Sequence, residues 1–108
     1  MMLGVLAAIS GAITVAAGAF GAHGATSLEA KDWLRTGGQY QLIHAVAALI
    51  ALRLEARGPG WLFVIGGALF AGTLYAMALG APRWLGAVTP IGGAALIAGW
   101  LWLAWSLR

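Results

Sequence analysis

"GAFGAHG", Gly18–Gly24, closes an otherwise apolar N-terminal segment. Three glycines and two alanines could mark a leader cleavage site, a flexible loop or the packed end of a membrane helix. The residues before it decide. From Met2 to Ala22 there is no charge, and only Ser10 and Thr14 carry polar side chains. About 20 apolar residues cross a bilayer core, so this run is long enough for a span. A leader peptide would place Lys or Arg before a shorter apolar run, and neither condition is met. The stretch is therefore expected to end a first membrane span. Gly18, Gly21 and Ala22 would let neighbouring backbones approach, and His23 would sit at the helix end.

The rest of the 108-residue chain agrees, being 62% hydrophobic and only 8% charged, with no cysteine. Soluble domains carry about 25% charged residues, so a mostly wetted surface is excluded. A single transmembrane domain over residues 1–108 is expected. The net charge of +3 comes from scattered residues, so no nucleic-acid partner is implied. The absence of cysteine removes disulfides and thiolate metal sites.

Four spans are expected, at about 2–22, 38–54, 61–80 and 85–106. Residues 25–37 interrupt the apolar pattern with Glu29, Lys31, Asp32 and Arg35. Thr26 and Glu29 have the spacing of a capping box, which predicts a short interfacial helix at about 27–35. Thr36 and Gln39 repeat that spacing before the second span. Gly58-Pro59-Gly60 reads as the next turn, and Ala81–Trp84 as the last connection. The resulting class is all-α, an integral membrane antiparallel four-helix bundle with an interfacial helix in the first loop. A transmembrane barrel would need alternating polarity, which these segments lack. Basic residues divide three against three: Lys31, Arg35 and Arg83 on one side, Arg53, Arg57 and Arg108 on the other. That balance leaves orientation open. Trp33, Trp61, Trp84, Trp102 and Trp105 suit interfacial belts, whereas Trp100 lies deeper.

Helical periodicity sorts the faces. On the second span Tyr40, His44, Ala47, Ala48 and Ala51 share one side, with Leu42, Val46, Leu49 and Ile50 opposite. In lipid the small or polar face is expected inside. By the same rule Ala8, Ala12 and Ala16 turn inward on the first span. On the third, Ala68, Gly72, Ala76 and Gly80 turn inward against outward Phe63, Phe70, Leu74 and Met77. Gly18, Gly21, Gly72, Ala76, Gly92 and Gly93 are the expected helix-packing positions.

The polar groups cluster near one membrane face. At 1.5 Å per residue, His44 lies roughly 9 Å, Tyr75 roughly 7 Å and Thr89 roughly 6 Å below the face bearing His23. His23, Tyr40, Gln41, His44, Tyr75 and Thr89 are the candidate polar layer. Intramembrane histidine is costly unless satisfied, and two readings remain for His44. It ties helices together through Tyr40, Tyr75 or Thr89, or it serves a ligand or proton. Zinc would want four ligands, and two histidines without a buried carboxylate do not supply them. No haem attachment motif, phosphate loop or dinucleotide fingerprint occurs, so no metal or cofactor is expected. Ser10 and Thr14 lie too deep for either histidine to activate, so no enzyme is expected.

"GAFGAHG" (18–24), "YQLIHA" (40–45), "LFAGTLY" (69–75), "VTPIGG" (88–93) and "GW" (99–100) together resemble the DUF423 or UPF0382 family. Its eukaryotic relatives include transmembrane protein 256. Ala71 stands where a serine is more usual, so no role for a hydroxyl there is carried over. The resemblance implies a small polytopic membrane protein and supplies no mechanism. On the residues themselves, two functions are expected. One is a homo-oligomeric bundle, in a bacterial inner membrane, whose polar layer binds or passes a small molecule, lipid group or proton. The other is an accessory or assembly subunit of a larger membrane complex.

Overall fold

A computed structural model describes residues 1–108. It contains four α-helices: α1 (Met2–His23), α2 (Leu28–Arg53), α3 (Arg57–Ala78) and α4 (Thr89–Leu107), with a 3-10 turn over Arg83–Ala87. Three stretches are long and apolar enough to cross a membrane: α1, α3, and Arg83–Leu107, which takes in α4. α2 is long enough but less apolar. Its first two turns hold four charges, and Gln39, Gln41 and His44 occupy its middle.

The first loop differs from expectation. No separate interfacial helix exists at 27–35, because α2 runs unbroken from Leu28 to Arg53. Its cap is Ser27 rather than Thr26, the Ser27 hydroxyl accepting from the Ala30 N–H at 3.0 Å. Glu29 does not complete a box, since its carboxylate is held by Arg83. Leu34 is buried against α1, where a Cβ on Gly21 would meet its Cβ at 3.3 Å. These turns therefore extend the α1–α2 contact, while Glu29, Lys31, Asp32 and Arg35 remain exposed.

The Thr36–Gln39 start is likewise absent, and Gly37-Gly38 lies inside α2. A Cβ on Gly37 would come within 2.9 Å of the Tyr75 ring, so this glycine serves close approach rather than helix termination. The next turn falls earlier than expected. Leu54, Glu55 and Ala56 connect α2 to α3, with Glu55 at φ 60° and the Ala56 N–H returning to Ala51 O. Gly58-Pro59-Gly60 is instead the opening turn of α3. Proline is tolerated there because first-turn N–H groups have no intrahelical partner.

α3 is central. It forms large interfaces with α2 and α4, while α1 packs mainly on α2 and only slightly on α3. One end of the molecule gathers Phe20, Gly24, Trp33 and Leu79. At the other, Leu3 lies against Gly60 and Trp102 against Gly58. The core there includes Leu3, Ala48, Ala51, Phe63, Val64, Leu96 and Leu103. α3 and α4 meet almost backbone to backbone. A Cβ on Gly92 would run into the Phe70 main chain, and a Cβ on Gly99 would press on the Phe63 ring.

Two of the three face assignments reverse. α2 buries His44, Ala47, Ala48 and Ala51 and exposes Leu42, Val46, Leu49 and Ile50, but Tyr40, expected on the inner face, is exposed. On α1, however, Ala8, Ala12 and Ala16 face outward, and Leu3, Ala7, Ser10, Thr14 and Gly21 face in. On α3, Ala68, Gly72 and Gly80 are exposed, while Phe63, Leu74 and Met77 are buried. The small residues that allow close approach on α3 are Gly66, Gly67 and Ala71, which leave room for the large side chains beside them.

Candidate functional site

Three polar pairs join the helices, each between groups that apolar surroundings would otherwise leave unsatisfied. Tyr75 on α3 donates its hydroxyl to Gln41 Oε1 on α2 at 2.8 Å. Thr73 on α3 and Thr89 at the start of α4 share a hydrogen bond of 2.6 Å. Trp100 on α4 donates its indole N–H to His44 Nε2 on α2 at 2.9 Å. His44 Nδ1 lies 2.6 Å from the Tyr40 carbonyl one turn earlier. An indole N–H can only donate, so Nε2 accepts and the proton sits on Nδ1, which donates to that carbonyl. Ser10 and Thr14 return their hydroxyls to carbonyls of their own helix. No buried side-chain nitrogen or oxygen lacks a partner.

The six expected layer residues therefore do not form one network. Gln41 and Tyr75 meet each other, Thr89 meets Thr73, and His44 meets Trp100. Tyr40 contributes its carbonyl to His44; the residue is 47% exposed, and its ring packs 4.9 Å from that of Phe70, centroid to centroid. His23 is exposed at the end of α1 and joins none of them. Trp100 was recognisable as too deep for a belt position, and its indole N–H needs an acceptor when withdrawn from water. That need was the available signal for the His44 pairing.

The His44–Trp100 pair forms one wall of a groove of about 370 Å³ between α2 and α4, with α3 beneath it. Tyr40, Phe70, Leu96 and Ile97 complete most of the lining, and Gly93 keeps it open. The rings are mutually supported. Phe63 lies 4.8 Å from Trp100 and 5.6 Å from His44, centroid to centroid. Such a surface offers ring stacking and dispersion contacts with few polar groups.

Of the expected packing positions, Gly21 and Gly92 lie against neighbouring helices, and Gly93 is within van der Waals reach of the Phe70 ring. Ala76 is half-buried. Gly18 and Gly72 face open space, with nothing within 4 Å of an added Cβ, so contact within this chain does not account for them.

At the end bearing the 83–87 turn, Arg83 grips both carboxylate oxygens of Glu29 and lies 5.4 Å from the Trp33 ring centre. The hydrogen bond to Glu29, and then its charge, hold the Arg83 guanidinium above its already high ordinary pKa. This latch ties the start of α2 to the turn before α4.

The family described as "Protein of unknown function (DUF423)" matches residues 17–93. The chain belongs to this family. The UPF0382 inner membrane protein YgdD of Escherichia coli (strain K12) is 40% identical, the match covering 89% of this chain and 81% of that protein. A UPF0382 membrane protein of Haemophilus influenzae is 45% identical over 93% of this chain and 88% of its own. The UPF0382 membrane protein YwdK of Bacillus subtilis is 39% identical, with 90% and 88% covered. No solved structure matches. The chain is a membrane protein of this family, and its apolar helices with an inner-membrane relative fit the bacterial inner membrane.

Proposed function

We propose that this DUF423 member is a four-span antiparallel bundle that binds a lipid-soluble, ring-bearing small molecule inside the bilayer. The observation that carries this reading is the groove of about 370 Å³ walled by Tyr40, His44, Phe70 and Trp100. α2 serves as the fourth span, sheltered between α1 and α3 so that Gln41 and His44 face protein. The mutual satisfaction of the polar pairs favours binding over passage, since no buried side-chain polar atom is left free to hand on a polar solute. It also favours binding over catalysis, because both His44 ring nitrogens are already engaged.

Gly93→Leu tests this directly. Its new side chain would extend into the groove beside the Phe70 ring, where an added Cβ finds ordinary contact at 3.7 Å. Full-length parent and variant are purified from native membranes, and their organic extracts are compared by mass spectrometry. A ring-bearing lipophile retained by the parent and lost from the variant supports the reading. Identical extracts reject it.

A second reading, an oligomer or an accessory subunit, draws on one separate observation. Ala8, Ala12 and Ala16 make an outward small-residue face on α1, a surface suited to a helix from another chain. Cross-linking from Ala12→Cys in intact membranes distinguishes the cases: a dimer band favours a second copy, and a heteromeric band favours a complex partner.

A further inference from the structure

The α1–α2 face carries a second cavity, unconnected with the aromatic groove. About 240 Å³ of space lies between the end of α1 and the start of α2, lined by Ala17, Gly18, Gly21, Ala22, Lys31 and Arg35. It adjoins another groove of about 220 Å³ that shares Gly18 and Arg35 and continues past Thr14, Val15, Leu34 and Leu42. The upper part has two cations, and the lower part is almost wholly apolar. We infer that this face binds one anionic phospholipid of the bilayer, its headgroup phosphate between Lys31 and Arg35 and an acyl chain along α1 and α2.

Three features support that occupant. First, Lys31 and Arg35 stand one turn apart on the same side of α2, at the level where the charged first turns give way to apolar sequence. Lys31 makes no ion pair, and Arg35 only touches exposed Asp32 at 3.4 Å, a contact that a phosphate readily displaces. Second, Gly18 sits at the junction of headgroup and chain sections. Nothing in this chain lies within 4 Å of a Cβ there, so its missing side chain keeps the passage between the two sections open. Third, Thr14, the buried polar side chain bordering the lower section, is already used, while Gln39 there is exposed. Thr14 donates to the Gly11 carbonyl at 2.7 Å, leaving a wall suited to hydrocarbon. Basic side chains near a bilayer surface favour anionic over zwitterionic lipid, which sets the headgroup class.

The test uses the full chain in vesicles of phosphatidylcholine with a one-fifth share of phosphatidylglycerol. After mild detergent extraction, native mass spectrometry reads the retained lipids. The parent is expected to hold phosphatidylglycerol about tenfold over its bulk share. Gly18→Leu keeps both cations and fills the groove, and its enrichment falls to the bulk share. Lys31→Gln with Arg35→Gln keeps the groove and loses the same enrichment. Gly72→Leu adds equal bulk at another open position and retains the parent's lipid. All these sites are exposed, and a parent-like melting curve for each variant confirms its fold before lipid is read. Soluble glycerol phosphate at millimolar concentration leaves the enrichment intact. The proposal is overturned by any of five results: parent lipid matching the bulk, Gly18→Leu or the double glutamine variant retaining phosphatidylglycerol like the parent, Gly72→Leu losing it, or displacement by glycerol phosphate.

Discussion

Trp100 on α4 donates its indole N–H to His44 Nε2 on α2 across 2.9 Å, spanning the face of α3 that separates their helices. α4 otherwise rests mainly on α3, so this bond is a direct polar link between α2 and α4. It also selects the histidine tautomer, because the opposite nitrogen must then donate to the Tyr40 carbonyl. Trp100→Phe keeps the ring packing but leaves Nε2 without a donor. The expected loss is about 1 kcal/mol of folding stability in lipid or detergent. A double-mutant cycle with His44→Leu checks it. The pair should couple by a similar amount, and strictly additive effects would sink the assignment.

Gly92 and Gly72 form a matched contrast. Gly92 lies against the Phe70 main chain, which cannot yield as a flexible side chain can, whereas Gly72 faces open space. Gly92→Ala must push α4 away from α3 and should cost about 1–3 kcal/mol, the range for overpacking. Gly72→Ala should be neutral or slightly stabilising, since alanine is the better helix former. Melting curves of the two variants in one detergent decide the matter. Similar shifts for both would show that α3 and α4 are not so closely apposed.

Tyr75 reaches Gln41 over the notch left by Gly37. Tyr75→Phe removes the donor and should destabilise by about 1 kcal/mol. Gly37→Ala attacks the same contact from α2, forcing its new methyl onto the ring. If the two act through one contact, Gly37→Ala should do less harm in a Tyr75→Leu background than in the parent. Unfolding measured for the four combinations reads that difference directly.

The α2 inner face was legible in the sequence because two signals coincided there. Polarity at His44 and small size at Ala47, Ala48 and Ala51 both pointed inward. On α1 and α3 only size was available, and in lipid a bulky apolar residue is comfortable on either side. Phe63 goes inside because Gly99 on the facing helix makes room for its ring, a relation between distant residues that periodicity does not encode. The charges at 29–35 suggested a separate interfacial helix. Buried Ala30 and Leu34, interleaved with those charges, instead carry α2 down alongside α1. Tyr75 and Gln41 were both readable as polar groups of similar depth, but depth alone could not place them in a separate pair from His44.

The Glu29–Arg83 latch makes a prediction about salt and pH. Arg83's pKa is raised by its hydrogen bond to Glu29 and by that carboxylate's charge. A base whose folded pKa is raised contributes its stabilisation fully below the unfolded value, and loses it only as pH climbs through the folded value. That window lies in strong alkali, so deprotonation of Arg83 does not loosen the latch anywhere in the physiological range. Salt should, because both partners are exposed and their attraction is screened. Hydrogen exchange at Leu85 and Val88, whose amides bond to Pro82 and Leu85 carbonyls, reports on the turn. Arg83→Gln should speed that exchange several-fold, and roughly half-molar salt should move the parent toward the same rate. An unchanged rate in the variant would mean that the turn is held by its own backbone and by Pro82, with the ion pair resting on top of it.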